Sequence, residues 1–353
     1  MAVKTLAVKY RPKTWDEVSE QSSTKIILQQ QLDSGEVKNA YLFCGPAGCG
    51  KTTCARIFAN DINKGEGNPI ELDAASNNGV DDVRNIIQQA KTKSINSEYK
   101  IFIIDECHAL SNSAWQAMLK IIEEPPAKSI FIFCTTDPQK IPKTILSRVQ
   151  RYDFHRISQL GVIRRLNDIL DTEAEQSGQI LSGSSDRDNA IEFIARLADG
   201  GMRDAITFLD KCLAYHPKLT LKHVTEALGT ADYSTMFELT DCLLGYDGMG
   251  SKEAVEIIET LHANGKELKT FVKQYIQFLL DLDKYSLGCD WKYLQMPKLT
   301  DYEKALESYG EEEWDEIHRW LSIFVQLNAD IKWSQSAKYD IEAVILVNME
   351  NKG

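Results

Sequence analysis

The sequence predicts an α/β domain with a helical domain attached, followed by an all-α domain. Three observations predict it. Through residue 157, short apolar runs alternate with helical patterns, as helices on both faces of a parallel sheet require. A G-x-x-x-x-G-K-T segment stands where the first of those runs meets a helix. Beyond residue 157 almost every apolar pattern has the 3.6-residue period of a helix.

The expected strands are NAYLFCG (39–45), PIELD (69–73), KIFIID (100–105) and SIFIFCTT (129–136), read as buried and parallel. Helices are expected at KTTCARIFANDI, GVDDVRNIIQQAKTK and SNSAWQAMLKIIEE, between those strands. From SQLGVIRRLNDILDTEAEQSG onward, helical patterns are broken by SGSSD, ADGG, YHPKLT, GYDGMG and YSLGCDW. The expected domains are 1–157 (α/β), 158–228 (small helical) and 229–353 (helical).

A chain of 353 residues, 43% apolar, has room for about two or three domains. No run of about eighteen apolar residues suggests a membrane span, and MAVKTLAVKYRPKTW does not read as a signal peptide. The eight cysteines contain no C-x-x-C pair, so reduced core thiols in a cytoplasmic protein are expected. The net charge of −12 is uneven. Residues 1–160 carry 20 basic and 18 acidic side chains, whereas 161–353 carry 20 and 34. A phosphate-binding surface therefore belongs in the first half.

Gly45, Pro46, Ala47, Gly48, Cys49, Gly50, Lys51, Thr52 and Thr53 form the candidate phosphate loop. Its glycines let backbone N–H groups curl round the β- and γ-phosphates at a helix N-terminus, where the dipole favours negative charge. Lys51 would reach the β/γ oxygens and the Thr52 hydroxyl would hold Mg²⁺. Asp105 ends a buried strand, placed to bind the same Mg²⁺ through water. Glu106 beside it is placed to take a proton from the attacking water. No N-K-x-D motif marks guanine, so ATP is the expected nucleotide.

The D-E-x-H of IFIIDECHAL (101–110) occurs both in superfamily-2 helicases and in AAA+ assembly switches. A helicase needs a second RecA-like domain and a late arginine-rich motif, and helical patterns stand there instead. KYRPKTWDEV (9–18), CTTDPQKIPKTILSRVQRYDF (134–154) and GGMRDAITFLDK (200–211) complete a set of motifs in order. With the phosphate loop and DECH, this set closely resembles the clamp-loader branch of the AAA+ ATPases. The nearest likeness is to the DnaX family, the γ/τ subunit of bacterial DNA polymerase III, with replication factor C small subunits also similar. The likeness is dense to residue 211 and thinner after 250.

That resemblance implies a RecA-like AAA+ domain, a helical lid and a collar domain that mediates oligomerisation. It implies that Tyr10, Arg11 and Pro12 pack on adenine and approach the phosphates. It makes Thr136 a sensor near the γ-phosphate and Arg203 a second sensor reaching in from the lid. Arg148, in LSRV, would be an arginine finger acting in trans on a neighbouring subunit. Where clamp loaders usually read S-R-C, this chain reads Ser147-Arg148-Val149. ANDINKGEGNPIEL crosses the place of the four-cysteine zinc module without a cysteine, so ATP and Mg²⁺ are expected and zinc is not. Gln116 resembles the replication factor C and phage pattern, in which a helix glutamine couples subunits. The chain ends where the collar ends, without a long τ-type extension, suggesting a compact and possibly phage-encoded loader in a bacterial or phage-infected cell.

The implied partners are a sliding clamp, the other subunits of a five-membered ring, and primer–template DNA held by its backbone. Asn77, Asn78 and Gly79 precede a helix whose first amides could face a phosphate. Asp81 and Asp82 suit that first turn equally well as dipole partners. Arg84, Lys91 and Lys93 are candidate phosphate contacts or plain solvated side chains. Trp115 is either a clamp contact or a core residue. The rival readings are a Holliday-junction or repair AAA+ ATPase, a hydrolysis-poor δ′-type subunit, and a DExH-type translocase.

Overall fold

The computed structural model describes residues 4–94, 96–177, 185–229, 233–296 and 300–350. These divide into two compact units, one gathering 1–180 with 197–210, the other 181–196 with 211–353.

The first unit opens with α1 (Leu6–Lys9) and α2 (Ser22–Ser34), and then alternates β1 (Ala40–Cys44), α3 (Lys51–Ile62), β2 (Ile70–Asp73), α4 (Val80–Ala90), β3 (Lys100–Asp105), α5 (Asn112–Glu123), β4 (Ser129–Thr135), α6 (Lys143–Leu146) and β5 (Gln150–Asp153). The strands form one sheet in the order β2-β3-β4-β1-β5, every pair parallel. Parallel strands buried on both faces read as unbroken apolar runs, and the pleat sorts them. Leu42, Cys44, Phe102, Ile104, Phe131 and Phe133 join the cluster that includes Val83, Ile86, Trp115 and Met118 of α4 and α5. Tyr41, Phe43, Ile101, Ile103, Ile130 and Ile132 point the other way, into the cluster that includes Leu28, Ile57 and Phe58 of α2 and α3. Phe102 stacks on Phe131 with ring centroids 5.2 Å apart.

Two expectations about this unit change. A fifth strand, β5, pairs with β1, and its polar Gln150, Arg151 and Asp153 hid it from a search for apolar runs. Strand β2 is at the sheet edge and only half-buried, with alternating exposure.

The chain continues through α7 (Gln159–Ser177), α8 (Ser185–Leu197), α9 (Met202–Tyr215), α10 (Leu221–Leu228), α11 (Tyr233–Leu244), α12 (Ser251–Ala263), α13 (Leu268–Ser286), α14 (Thr300–Glu307), α15 (Glu311–Asp330) and α16 (Ala337–Glu350). Residues 158–228 contribute to both units, α7 to the first and α10 to the second, with one boundary inside α9. The core of the second unit is aromatic. Tyr275 of α13 packs against Phe271, Phe278 and Phe324, and its hydroxyl meets the Thr240 hydroxyl at 2.7 Å. Among the described residues no helix is long and apolar enough to cross a membrane.

Candidate functional site

The phosphate loop joins β1 to α3 and is shaped by close backbone approaches. Gly45 sits at φ 153°, and a Cβ there would lie 2.4 Å from the carbonyl oxygen of Phe154. Gly48 sits at φ 71°, and its carbonyl accepts a hydrogen bond from the Met202 N–H at the start of α9 (3.1 Å). Only glycine fits both demands. Gln21 ties the loop to the strand beyond β5, donating from Nε2 to the carbonyls of Cys49 and His155 and accepting the His155 N–H.

Around the loop lies a cavity of about 300 Å³, within the range of small-ligand sites. The expected residues Tyr10, Arg11, Pro12, Ala47, Gly48, Cys49, Gly50, Lys51, Thr52, Thr53, Asp105, Glu106 and Arg203 all line it. A larger hollow of about 770 Å³ lies in the second unit. It has no glycine-rich loop and no buried lysine, so volume alone does not make it the nucleotide site.

Lys51 is buried, and its ammonium donates to the carbonyls of Gly45 (2.9 Å) and Pro46 (2.7 Å). Both acceptors are neutral, and hydrogen bonds from an ammonium to an anion are stronger than these. The Thr52 hydroxyl donates to Asp105 Oδ2 at 2.8 Å. This pair of hard oxygen donors at the phosphate end of the cavity suits Mg²⁺, which takes one or two protein oxygens and completes its shell with phosphate and water. Arg11 and Arg203 line the cavity, and Arg56, paired with Glu71, stands close enough to act on Arg11 by its charge. Burial, and then the charges of Arg56 and Arg203, pull the Arg11 pKa below its ordinary value. Their combined positive charge suits a polyanion.

Glu106 has φ 46° and ψ 41°, a left-handed conformation that costs a non-glycine residue on the order of 1–3 kcal/mol and is commonest at functional sites. The Thr136 hydroxyl donates to Glu106 Oε2 at 3.0 Å. The expected sensor threonine and the expected proton acceptor are therefore in direct contact.

Arg148 follows α6 and is exposed. Its Nε pairs with Glu123 of α5 at 2.8 Å, and its Nη1 donates to the Thr144 carbonyl and the Ser147 hydroxyl. It does not line the cavity of its own chain.

Some expectations fall elsewhere. Trp115 is 3% exposed and packs on Phe133, so it is a core residue and no contact surface. The Gly79 N–H is taken by the Asp82 carboxylate (3.2 Å), so this acid caps α4. Arg84 pairs with Asp81 at the surface, and Gln116, Lys91 and Lys93 are exposed. The Tyr10 hydroxyl donates to Glu173 of α7 (2.6 Å), and Arg165 of α7 donates to the Tyr10 carbonyl (3.0 Å).

Val18, Ser19, Ile157, Arg165, Met202 and Ile206 also line the cavity, beyond the candidate residues of the sequence. Val18, Met202 and Ile206 lie within the motif segments 9–18 and 200–211, whereas Ser19, Ile157 and Arg165 stand outside any motif. Their apolar members Val18, Ile157, Met202 and Ile206 give the cavity a nonpolar lining.

Seven of the eight cysteines are buried, and Cys289 is partly exposed. Burial pushes the Cys44 thiol up to about 11 and Cys54 up to about 12. Since a raised folded-state pKa favours the neutral form, stability from these thiols is complete below 9.0 and lost as pH rises through 11 to 12. A protonated, buried thiol is a poor nucleophile. Iodoacetamide on the native chain near neutral pH should label Cys289 alone, read by intact mass. Label on Cys49, inside the phosphate loop, would show that the loop opens.

The five-stranded parallel sheet, the phosphate loop at β1 and the acidic pair ending β3 define a P-loop protein of AAA+ architecture. Its fold matches the Thermotoga maritima RuvB Holliday junction branch migration motor with a TM-score of 0.50, over 66% of this chain and 79% of that one, at 21% identity. Within that class the sequence is DnaX-like. It is 32% identical to the DNA polymerase III subunit tau of Bacillus subtilis (strain 168), over 98% of this chain and 63% of that protein. It is 33% identical to the DNA polymerase III subunit gamma/tau of Mycobacterium bovis, over 78% of this chain and 50% of that protein. A family model described as DNA polymerase III, delta subunit, matches residues 68–158. The chain thus spans about half to two thirds of the length of these relatives.

Proposed function

We propose that this chain is an ATPase subunit of a DNA sliding-clamp loader. ATP binding would assemble a ring that opens the clamp, and hydrolysis at a primer–template junction would release the clamp closed on DNA. The observation that carries the proposal is the likeness to the DNA polymerase III subunit tau along 98% of the chain, and a cavity lined by Lys51, Thr52, Asp105, Glu106 and Arg203 supports it. Such a protein would act in the cytoplasm beside a clamp and further loader subunits.

In the proposed hydrolysis a water oxygen bonds to the γ-phosphorus while the bond to the β–γ bridging oxygen breaks, its electron pair leaving with ADP. Glu106 accepts a proton from that water. Lys51 leaves its two carbonyls for the β/γ oxygens, and Thr136 keeps the Glu106 carboxylate in place. Mg²⁺, held by Thr52 and Asp105, would neutralise phosphate charge. Arg203, on the α9 start that Gly48 anchors, lines the same cavity and would reach the γ-phosphate.

Arg148 would act on a neighbouring subunit. Its pair with Glu123 leaves both side chains about 40% exposed, and such pairs contribute only about 0–1 kcal/mol. The finger can therefore leave Glu123 for a neighbour's γ-phosphate at little cost. A hydrolysis-poor δ′-type subunit fits less well, because Lys51, Thr52 and Glu106 are present and converge on one cavity.

The test is steady-state ATPase on the complex purified from its own cells, with no DNA, plain single strands or a primer–template junction, each with and without the cognate clamp. The rate should peak with clamp and junction together. A rate driven equally by plain single strands and indifferent to the clamp would overturn the reading.

A further inference from the structure

His108 stands two residues beyond Glu106, and its surroundings give it a role. The chain turns through a short 3-10 segment, Cys107–Ala109, directly after Glu106. That turn brings His108 Nδ1 back to 3.3 Å from Glu106 Oε2 and 3.1 Å from the Thr135 hydroxyl. Thr135, the last residue of β4, is fully buried, and its hydroxyl also accepts the Asp137 N–H (3.0 Å). Its carbonyl accepts the Gly45 N–H at 3.2 Å, which joins this strand end to the phosphate loop. Thr136 thus holds the Glu106 carboxylate by a hydrogen bond, and the imidazole, hydrogen-bonded to Thr135, is seated beside the same oxygen.

We propose that His108 is a positioning residue for Glu106, fixing the carboxylate so that it meets the attacking water in register. The proposal rests on the reading of Glu106 as proton acceptor. A carboxylate only accepts hydrogen bonds, so the Nδ1 facing it carries the proton. Thr136 holds Oε2 by a hydrogen bond, and the imidazole packed 3.3 Å from the same oxygen and anchored on Thr135 keeps the carboxylate from swinging away. The backbone at Glu106 makes such a hold necessary, because a left-handed residue relaxes unless its surroundings over-determine it. His108 does not line the nucleotide cavity, whereas Glu106 does. Loss of the imidazole should therefore change turnover and leave nucleotide binding alone.

The test compares His108→Ala, His108→Asn and Thr135→Val in the assembled complex and in single-turnover hydrolysis by the full chain, with ATP affinity measured separately. His108→Ala should lower kcat by about 10- to 100-fold, the scale of a misplaced catalytic group, with KM and affinity for ATP unchanged. His108→Asn, whose amide N–H can stand near the lost Nδ1–H, should recover most of that rate. Thr135→Val should fall in the same direction, and the double variant His108→Ala/Thr135→Val should be little worse than either single, because both act through one contact. A wild-type kcat in His108→Ala, equal loss in His108→Ala and His108→Asn, or an effect confined to KM would each overturn the proposal. Normal hydrolysis by a Glu106→Gln chain would instead remove the reading on which it rests.

Discussion

Glu106→Gln should bind ATP as the parent chain does and hydrolyse it about 10²- to 10⁴-fold more slowly, the contribution of a positioned proton acceptor. The substitution keeps the size and shape of the side chain. The glutamine carbonyl can still accept from Thr136, so the left-handed backbone and the 3.0 Å tether need not change. What goes is the negative charge and the capacity to take a proton. Lys51, Thr52 and the apolar wall of Val18, Met202 and Ile206 are untouched, so affinity stays. Fluorescent-nucleotide titration and single-turnover hydrolysis separate the two quantities. A variant that binds but does not turn over should also trap the ATP-bound assembly with its clamp. Loss of binding together with turnover would place Glu106 in the nucleotide grip.

How much of this could be read from sequence depended on how far apart the cooperating residues lie. The phosphate loop was legible because its chemistry is written in nine consecutive residues, Gly45 to Thr53, between a strand and a helix. Asp105 and Glu106 were legible because they end an apolar run. The adenine side was less so. Tyr10 announces itself beside Arg11 and Pro12, but the residue that holds its carbonyl, Arg165, lies 155 positions away on an ordinary helix. His108 stood in plain view within DECH, yet its partner Thr135 is 27 residues further on and reached only by sheet pairing. Strand β5 was missed for a related reason. Its outer residues are charged, and only Tyr152 and Phe154 turn inward to meet Phe43. Trp115 shows the converse limit. Position on a helix did not say which way the ring faced, and packing against Phe133 did.

Arg148→Ala carries the other large expected effect, and it should appear only in the assembly. In the isolated chain Arg148 touches Glu123, Thr144 and Ser147 and does not line its own nucleotide cavity, so single-chain hydrolysis and ATP affinity should be unchanged. In the ring, an arginine aimed at the transition-state charge of the neighbouring site is worth about 10³-fold or more in rate. The variant should therefore lose the stimulation by clamp and junction while keeping the slow basal rate. Glu123→Gln separates the finger's task from its resting place. It releases Arg148 from a half-exposed ion pair that contributes about 0–1 kcal/mol, so the stimulated rate should rise by no more than a few-fold. If Arg148→Ala instead lowers basal hydrolysis by the isolated chain, the arginine acts in cis. The switch would then have to be sought in Arg203, which already lines the site of its own chain. An unchanged stimulated rate would leave neighbouring subunits without a cation to lend through this loop, and the coupling of hydrolysis to assembly would need another carrier.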